Sequence, residues 1–441
     1  MSAIIQAFKD ADLRRKILFT ILLIVIYRVG AQIPSPGVDY QNISGRLHEL
    51  TQEDDSLYSV INLFSGGALL QLSIFAIGIM PYITASIISQ LLTVVIPHFE
   101  QLKKEGQSGQ AKMTQYTRYM TLALALLQSA GIVALADRNQ LLGQGVEVLD
   151  PDRTVFDLIL LVTVMTTGAI LVMWLGELIT EKGIGNGMSL LIFAGIATRL
   201  PSDGYRILQD NGGVVFAVVC AAVVALVVGI TFMEQGQRRI PVQYAKRMVG
   251  RRQYGGSSTY LPLKVNQAGV IPVIFASSLI YMPVLITEIV NSSNPTPPDN
   301  WWMRNVIANL QSPSSYVYIL VYVTLIIFFS YFYTSIQYDP HEQAENMKKY
   351  GGFIPGIRPG RPTAMYLSFV MNRLLFVGSI YLAFIAILPN LALDMGVGSQ
   401  DSAGMTAFGG TAILIMVSVA LTTVKQIESQ LLQSNYEGLL K

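Results

Sequence analysis

Apolar residues run along this chain in long blocks set apart by polar connections. The blocks fall near residues 16–33, 73–96, 115–136, 155–177, 184–199, 213–233, 267–287, 316–337, 364–389 and 407–425. A bilayer core takes roughly 17–25 residues of helix to cross, so each block predicts a membrane-spanning α-helix. The fifth block is short and opens among Gly183, Gly185 and Gly187, and Arg373 interrupts the ninth. The pattern as a whole predicts an all-α polytopic membrane protein with about ten transmembrane helices. Composition agrees, since the chain is 52% hydrophobic and 13% charged, against roughly 25% charged in soluble domains.

Charge gives the spans a direction. Lys and Arg fall 22 to 6 in favour of the side that holds both termini, counting Arg118 at the edge of its span, and Arg28 and Arg373 inside spans complete the 30. Positive charge collects on the cytoplasmic side of membrane proteins, so both termini are expected in the cytoplasm. Arg14, Arg15 and Lys16 ahead of the first block look like the start of a signal peptide. Arg28 interrupts that block and many spans follow, so the segment reads as a retained first helix. Residues 1–15 are a cytoplasmic tail, either a short helix on the membrane face or a frayed polar end. Residues 16–200 make an N-terminal half, 201–426 a C-terminal half and 427–441 a cytoplasmic tail.

The segment 57–72 fits neither class. It is too polar and too short to span, it precedes the second span on the external side, and Gly66 and Gly67 weaken any helix there. It reads as an interfacial loop or as a re-entrant segment, the latter tolerated only inside protein or a water-filled cavity.

The second span contains Gly78-Ile79-Met80-Pro81-Tyr82-Ile83-Thr84-Ala85-Ser86 and the seventh contains Gly269-Val270-Ile271-Pro272-Val273-Ile274-Phe275-Ala276-Ser277. Both read Gly-x-x-Pro-x-Ile-x-Ala-Ser, and each is second in its set of five. Sets of five spans enter the membrane from opposite sides, which predicts an inverted-topology repeat. Pro81 and Pro272 are expected to remove one helical hydrogen bond each, with Gly78 and Gly269 adding flexibility, so that two related helices can bend. The plainer alternative is an ordinary kink in a rigid bundle.

Chemistry-bearing residues change this picture mainly by their scarcity. Cys220 is the one cysteine, and His48, His98 and His341 are scattered without metal-ligand spacing. No cofactor or metal is expected. Glu177, Glu181 and Glu288 sit at span ends, and the span centres lack the ionisable groups an ion-coupled carrier needs. The run Gly183-Ile184-Gly185-Asn186-Gly187 joins two membrane helices and follows no strand, so it reads as a tight turn and not a nucleotide loop. No nucleophile–His–acid set is apparent. An enzyme is disfavoured on these grounds.

Two loops on the cytoplasmic side carry concentrated positive charge. Loop 234–266 holds Arg238, Arg239, Lys246, Arg247, Arg251, Arg252 and Lys264, and loop 338–363 holds Lys348, Lys349, Arg358 and Arg361. Topology signalling and anionic lipid explain part of this charge. Gly356-Ile357-Arg358-Pro359-Gly360 holds one Arg at a stiff tip, which favours a docking platform for a large acidic or nucleic-acid-containing partner.

At this point the residues resemble a known family. The set Phe64-Ser65-Gly66-Gly67-Ala68, Gly78 to Ile83, Gln115-Tyr116-Thr117-Arg118-Tyr119, Trp174-Leu175-Gly176-Glu177 and Gly183 to Gly187 is similar to SecY, the central subunit of the bacterial Sec protein-translocation channel. The likeness continues through Gln237-Arg238-Arg239, Tyr244-Ala245-Lys246-Arg247, Leu261-Pro262-Leu263-Lys264-Val265-Asn266 and Gly356 to Gly360. It runs nearly end to end.

The resemblance implies a ten-helix clamshell of two inverted halves around an hourglass pore in the bacterial plasma (inner) membrane. It implies a re-entrant plug near 57–72, including Asn62, Phe64, Ser65, Gly66 and Gly67. It implies a pore ring of Ile79, Ile83, Met188, Ile192, Ile274 and Ile415, in which Met188 departs from the usual branched aliphatic. Gly78, Pro81, Gly269 and Pro272 become the hinges of a lateral gate opening to lipid. Arg238, Arg239, Lys246, Arg247, Arg251, Arg252 and Arg358 become the docking residues for a SecA motor or a ribosome. A SecE-like small subunit clamps the halves, a SecG-like one joins, and signal peptides, preproteins and membrane lipids are the remaining partners. A solute transporter built on inverted repeats and a poreless insertion scaffold stay as alternatives.

Overall fold

The computed structural model of the chain describes residue 8 and residues 10–38, 67–69, 71–137, 149–150, 153–244, 247–249, 252–254, 258–291, 306–311, 315–394 and 410–439. Among these, nine helices carry the ten apolar segments. They are α1 (Ala11–Gly30), α2 (Met80–Val95), α4 (Gln107–Asp137), α5 (Val155–Lys182), α6 (Gly187–Gln235), α7 (Ile271–Asn291), α9 (Tyr316–Gln337), α11 (Arg361–Asp394) and α12 (Gly410–Leu439), with α6 contributing two segments. Three short helices, α3 (Pro97–Lys104), α8 (Ala308–Gln311) and α10 (Pro340–Lys349), connect them.

Local chemistry sets the helix ends. The Asp10 side chain accepts from the Asp12 amide at 3.1 Å to start α1, and Thr154 with Asp157 forms a capping box on α5. Asp339 caps α10 just ahead of Pro340. Pro97 cannot continue α2, so the chain turns by 99° into the polar helix α3. By length and composition six of the segments cross a membrane alone, and the bent α2–α3 pair makes a seventh. The others fall short for visible reasons. Arg14, Arg15, Lys16 and Arg28 lie within α1, Arg199 and Asp203 within the first part of α6, and the apolar part of α7 is only Ile271–Val284.

Two of the differences from the expected span boundaries have a visible backbone cause. The fifth span does not stop at 199, because α6 runs through Pro201 and breaks only at Gly212, with φ +80° and ψ 171°. Proline costs that helix one hydrogen bond without ending it. The second span does not begin at 73, because residues 74–79 form successive turns and the helix starts at Met80.

The packing repeats between the halves. In the first, α2 lies on α4, α4 on α5 and α5 on α6; in the second, α7 lies on α9, α9 on α11 and α11 on α12. The halves meet where α7 packs on both α2 and α4, while α12 packs on α6, which contributes a segment to each half. The Lys103 ammonium of α3 donates to the Ile336 carbonyl at the end of α9, at 3.0 Å. The second segment of α6 turns most of its surface outward, with Val214 80% and Phe232 79% exposed, as a helix facing lipid requires.

Loop 234–266 is not irregular. It forms β1 (Gln237–Tyr244), β2 (Arg247–Val249), β3 (Arg252–Tyr254) and β4 (Ser258–Lys264), and β5 (Gly352–Phe353) joins from the other basic loop. β1 is antiparallel to β4 with Gln237 opposite Lys264, and to β5 with Gln243 opposite Phe353. The fold is therefore a helical membrane bundle bearing a three-stranded sheet, β4–β1–β5, and a separate two-stranded one, β2–β3.

Candidate functional site

The repeat is written into the backbone. Gly78 has φ +61° and Gly269 has φ +65°, a left-handed conformation that glycine adopts without a steric penalty. One residue later Ile79 and Val270 each open a helix. The Tyr82 amide donates to the Ile79 carbonyl at 3.1 Å, and the Val273 amide to that of Val270 at 3.1 Å. The Ile83 amide reaches Ile79 at 3.2 Å and the Ile274 amide reaches Val270 at 3.3 Å.

This geometry corrects the role expected of the prolines. Pro81 and Pro272 are the second residues of α2 and α7. Amides in a first turn have no helical partner in any case, so neither proline removes a bond or kinks a helix. The break in each apolar block is at its glycine.

Residues far apart in sequence converge between the halves. Ile79, Ile83, Ile192, Ile274 and Ile415 are buried in one continuous apolar cluster, and half-buried Met188 packs against it. The Met188 sulfur lies over the Cα of Gly176 on α5, where an added Cβ would stand 2.5 Å away. A longer unbranched side chain is accommodated there because α5 presents a glycine.

On one side of this waist lies a polar cavity of about 320 Å³. Ser189, Asn266, Gly269, Ser418 and Thr422 help line it, so the polar side begins within a turn of Met188 and Ile415. Polar side chains there bring water up to the edge of the aliphatic cluster, which excludes it.

Residues 57–66 lie outside the described residues, and with them Asn62, Phe64, Ser65 and Gly66. Gly67 is described, with φ +93°. The chain after it is firmly held: the Ser35 amide donates to the Leu72 carbonyl and the Ile74 amide to the Ile33 carbonyl, both at 3.0 Å. Leu69, Leu72, Ala76 and Ile77 pack with residues of α4 and α5 and with Tyr281 of α7.

The two basic loops share a footing. Arg238 and Arg239 are exposed on β1, opposite Leu263 and Pro262 of β4. Exposed Arg358 sits between Gly356 (φ +81°) and Gly360 (φ +102°), and the Thr363 hydroxyl donates to its carbonyl at 2.9 Å. Ile240, Leu263, Ile354, Leu367 and Met371 form a separate small core that fixes the sheet to α11. Arg247 and Arg252 lie on the paired strands β2 and β3, while Lys246 and Arg251 lie outside the described residues. Arg373 faces outward, its guanidinium 4.5 Å from the centre of the Phe369 ring, so it takes no part in the waist.

Two polar pairs were not read from the sequence. Arg118 on α4 grips Glu177 on α5 through Nε at 3.0 Å and Nη2 at 2.7 Å. Asn266 grips Glu234 at the end of α6 at 2.6 Å. Charges at the edges of the apolar blocks (Arg118, Glu177 and Glu234) were the available signal, since each favours a partner there.

The SecY family model matches residues 73–424. The chain is 80% identical to the protein translocase subunit SecY of Corynebacterium glutamicum, over the full length of both. Among solved structures it is similar, at 19% identity and TM-score 0.63, to a SecY channel whose plug domain is described as stabilising the closed state; the match covers 94% of this chain and 91% of that one. Sec61 from a canine ribosome–channel complex matches at 17% identity and TM-score 0.59, over 94% of this chain and 91% of that one.

Proposed function

The chain belongs to the SecY family of protein-translocase channel subunits, and we propose that its apolar waist is the gate through which unfolded preproteins cross the bacterial inner membrane. It is a passive protein-conducting channel and not an enzyme. The observation that carries the gate reading is the gathering of Ile79, Ile83, Ile192, Ile274 and Ile415, from four helices, into one buried cluster beside a polar cavity. Aliphatic side chains offer no donor or acceptor to an ion's hydration shell, so a ring of them excludes ions by dewetting and still widens around an extended polypeptide.

The contact between α2 and α7 supports their reading as two lips of a side opening, with Gly78 and Gly269 as the hinges. A passing segment then partitions between pore and lipid. About 20 residues at −0.3 to −0.6 kcal/mol each favour lipid by several kcal/mol, while one central Arg costs roughly 2.5–3.5 kcal/mol. The segment near 57–72 acts as the plug. Deleting residues 60–70 is expected to make vesicles containing the purified complex leak ions. A seal as tight as that of the intact chain sinks the plug reading and favours a poreless scaffold.

Energy comes from a docked ribosome or a SecA-like motor on the basic loops, with Arg238, Arg239 and Arg358 as exposed contacts and Lys246, Arg247, Arg251 and Arg252 as further docking residues. SecE-like and SecG-like subunits complete the complex, and both termini face the cytoplasm. Reversing charge with Arg358→Glu is expected to impair motor-driven export several-fold more than insertion of short membrane spans. Equal loss of both, read by pulse-chase of an exported and an inserted substrate, would remove Arg358 from the docking surface.

A further inference from the structure

We propose that Glu234 and Asn266 form a latch that holds the hinge of α7 shut and ties it to the basic sheet, an inference that rests on reading α7 as a gate helix. The Asn266 side-chain amide donates twice, to Glu234 Oε1 at 2.6 Å and to the Gly269 carbonyl at 3.2 Å. Asn266 is buried, Glu234 is half-buried, and neither hydrogen bond lies within a helix or strand. One side chain thus connects the end of α6 to the residue whose left-handed backbone starts α7.

The connection continues into the sheet. Gln237 pairs with Lys264 at the base of the β1–β4 ladder, and the Val265 amide donates to the Gly236 carbonyl at 3.0 Å. The Glu234–Asn266 bond is the next rung. A displacement of the sheet by whatever docks on it reaches Gly269 through this ladder, with only residues 265–270 between β4 and α7.

The other half of the repeat lacks the device. Three residues before Gly78 stands Phe75, at the position corresponding to Asn266, and its ring stacks on Tyr27 at 6.1 Å. Apolar packing of that kind has no single breakable bond. A hydrogen bond to a carboxylate is strong and directional, yet both Glu234 and Asn266 line the 320 Å³ cavity, where water or a passing chain can replace their partners. The latch can therefore open at modest cost, and α7 becomes the lip that responds to the cytoplasmic partner.

Glu234 and Asn266 are positioning residues, and the test separates positioning from folding. The complex is reconstituted with the small subunits that copurify with it, and ion leak and export of a preprotein with a defective signal sequence are measured. Asn266→Ala and Glu234→Leu are each expected to raise both about tenfold, the scale of losing one hydrogen bond to a charged group. The double variant is expected to go no further, and Glu234→Gln, which keeps an acceptor, to stay near the parent. Ile83→Asn runs in parallel as a gate control. If it raises the leak while Asn266→Ala, at normal abundance, does not, the latch is overturned and the gate stands. If neither changes the leak, the gate reading fails first. Should Asn266→Ala not accumulate, Glu234→Leu against Glu234→Gln decides, and equal leak for the two overturns the latch.

Discussion

Ile83→Asn is expected to give a channel that inserts at normal abundance, leaks ions and exports preproteins whose signal sequences are defective. Ile83 is 7% exposed and meets the same cluster as Ile274, its counterpart in the repeat. Replacing it removes about 1.5–3 kcal/mol of apolar burial and places an amide where the closed state offers no partner, at about 1–3 kcal/mol more. An open waist lets that amide reach water, so the penalty falls mainly on the closed state. A shift of about 2 kcal/mol multiplies a minor open population roughly thirtyfold. Ile415→Asn, at 1% exposed, should behave alike. The control is Ile230→Asn, fully enclosed in the same cluster but on the second segment of α6, away from the proposed ring. It should lower abundance without raising leak per molecule. If Ile83→Asn and Ile230→Asn both merely lose protein, and the surviving Ile83→Asn channels are tight, the ring does not gate.

The repeat and the span pattern were legible in the chain because each leaves a local mark. Gly-x-x-Pro-x-Ile-x-Ala-Ser marks two helix starts, and the aliphatic residue at its sixth place falls on the buried face in both halves. The role of the prolines was misread because apolar pattern carries no information on φ: a block that is greasy from Ser73 onward looks helical, while the backbone turns until Met80. The break at Gly212 was masked by Pro201, which looks like a terminator and is not.

The sheet was missed for a different reason. Ile240 and Val242 are buried while Arg239, Pro241 and Gln243 are exposed, a period of two that was there to be read. Pro241 lies within that strand. It is tolerated because β5 covers only Gln243 and Tyr244, leaving Pro241 where β1 has an open edge. The pairing of β1 with β5 joins residues about a hundred apart and leaves no local signal. Its consequence is that the two basic loops share one sheet.

Gly187→Ala is expected to be among the most damaging single-methyl changes in the chain. Gly187 opens α6 against α5 with almost no space between backbones: a Cβ there would stand 1.9 Å from the Gly176 carbonyl oxygen and 2.9 Å from Ile179 Cβ. Real side chains do not approach a backbone oxygen so closely, and no rotamer change relieves it, so the two helices must part. Parting them disturbs a linked set of bonds. The Gly187 amide donates to the Thr180 hydroxyl at 2.9 Å, which itself donates to the Gly176 carbonyl at 2.9 Å, and the Asn186 side chain caps the Met188 and Ser189 amides at 3.1 and 3.2 Å. Overpacking costs about 1–3 kcal/mol where side chains can yield, and here only backbone can, so the upper end applies. The matched control is Gly229→Ala, exposed on the lipid side of α6 with nothing within 4 Å of the added methyl. It should be neutral or stabilise by up to about 1 kcal/mol through helix propensity. Thermal aggregation of the detergent-purified complex reads the difference, with Gly187→Ala lowered and Gly229→Ala unchanged or raised. Met188 follows Gly187 directly, so the same displacement reaches the waist, and surviving Gly187→Ala channels should also leak. Equal midpoints for the two variants would mean that the α5–α6 contact at Gly176 is looser than 1.9 Å implies, and with it the seat on which Met188 rests.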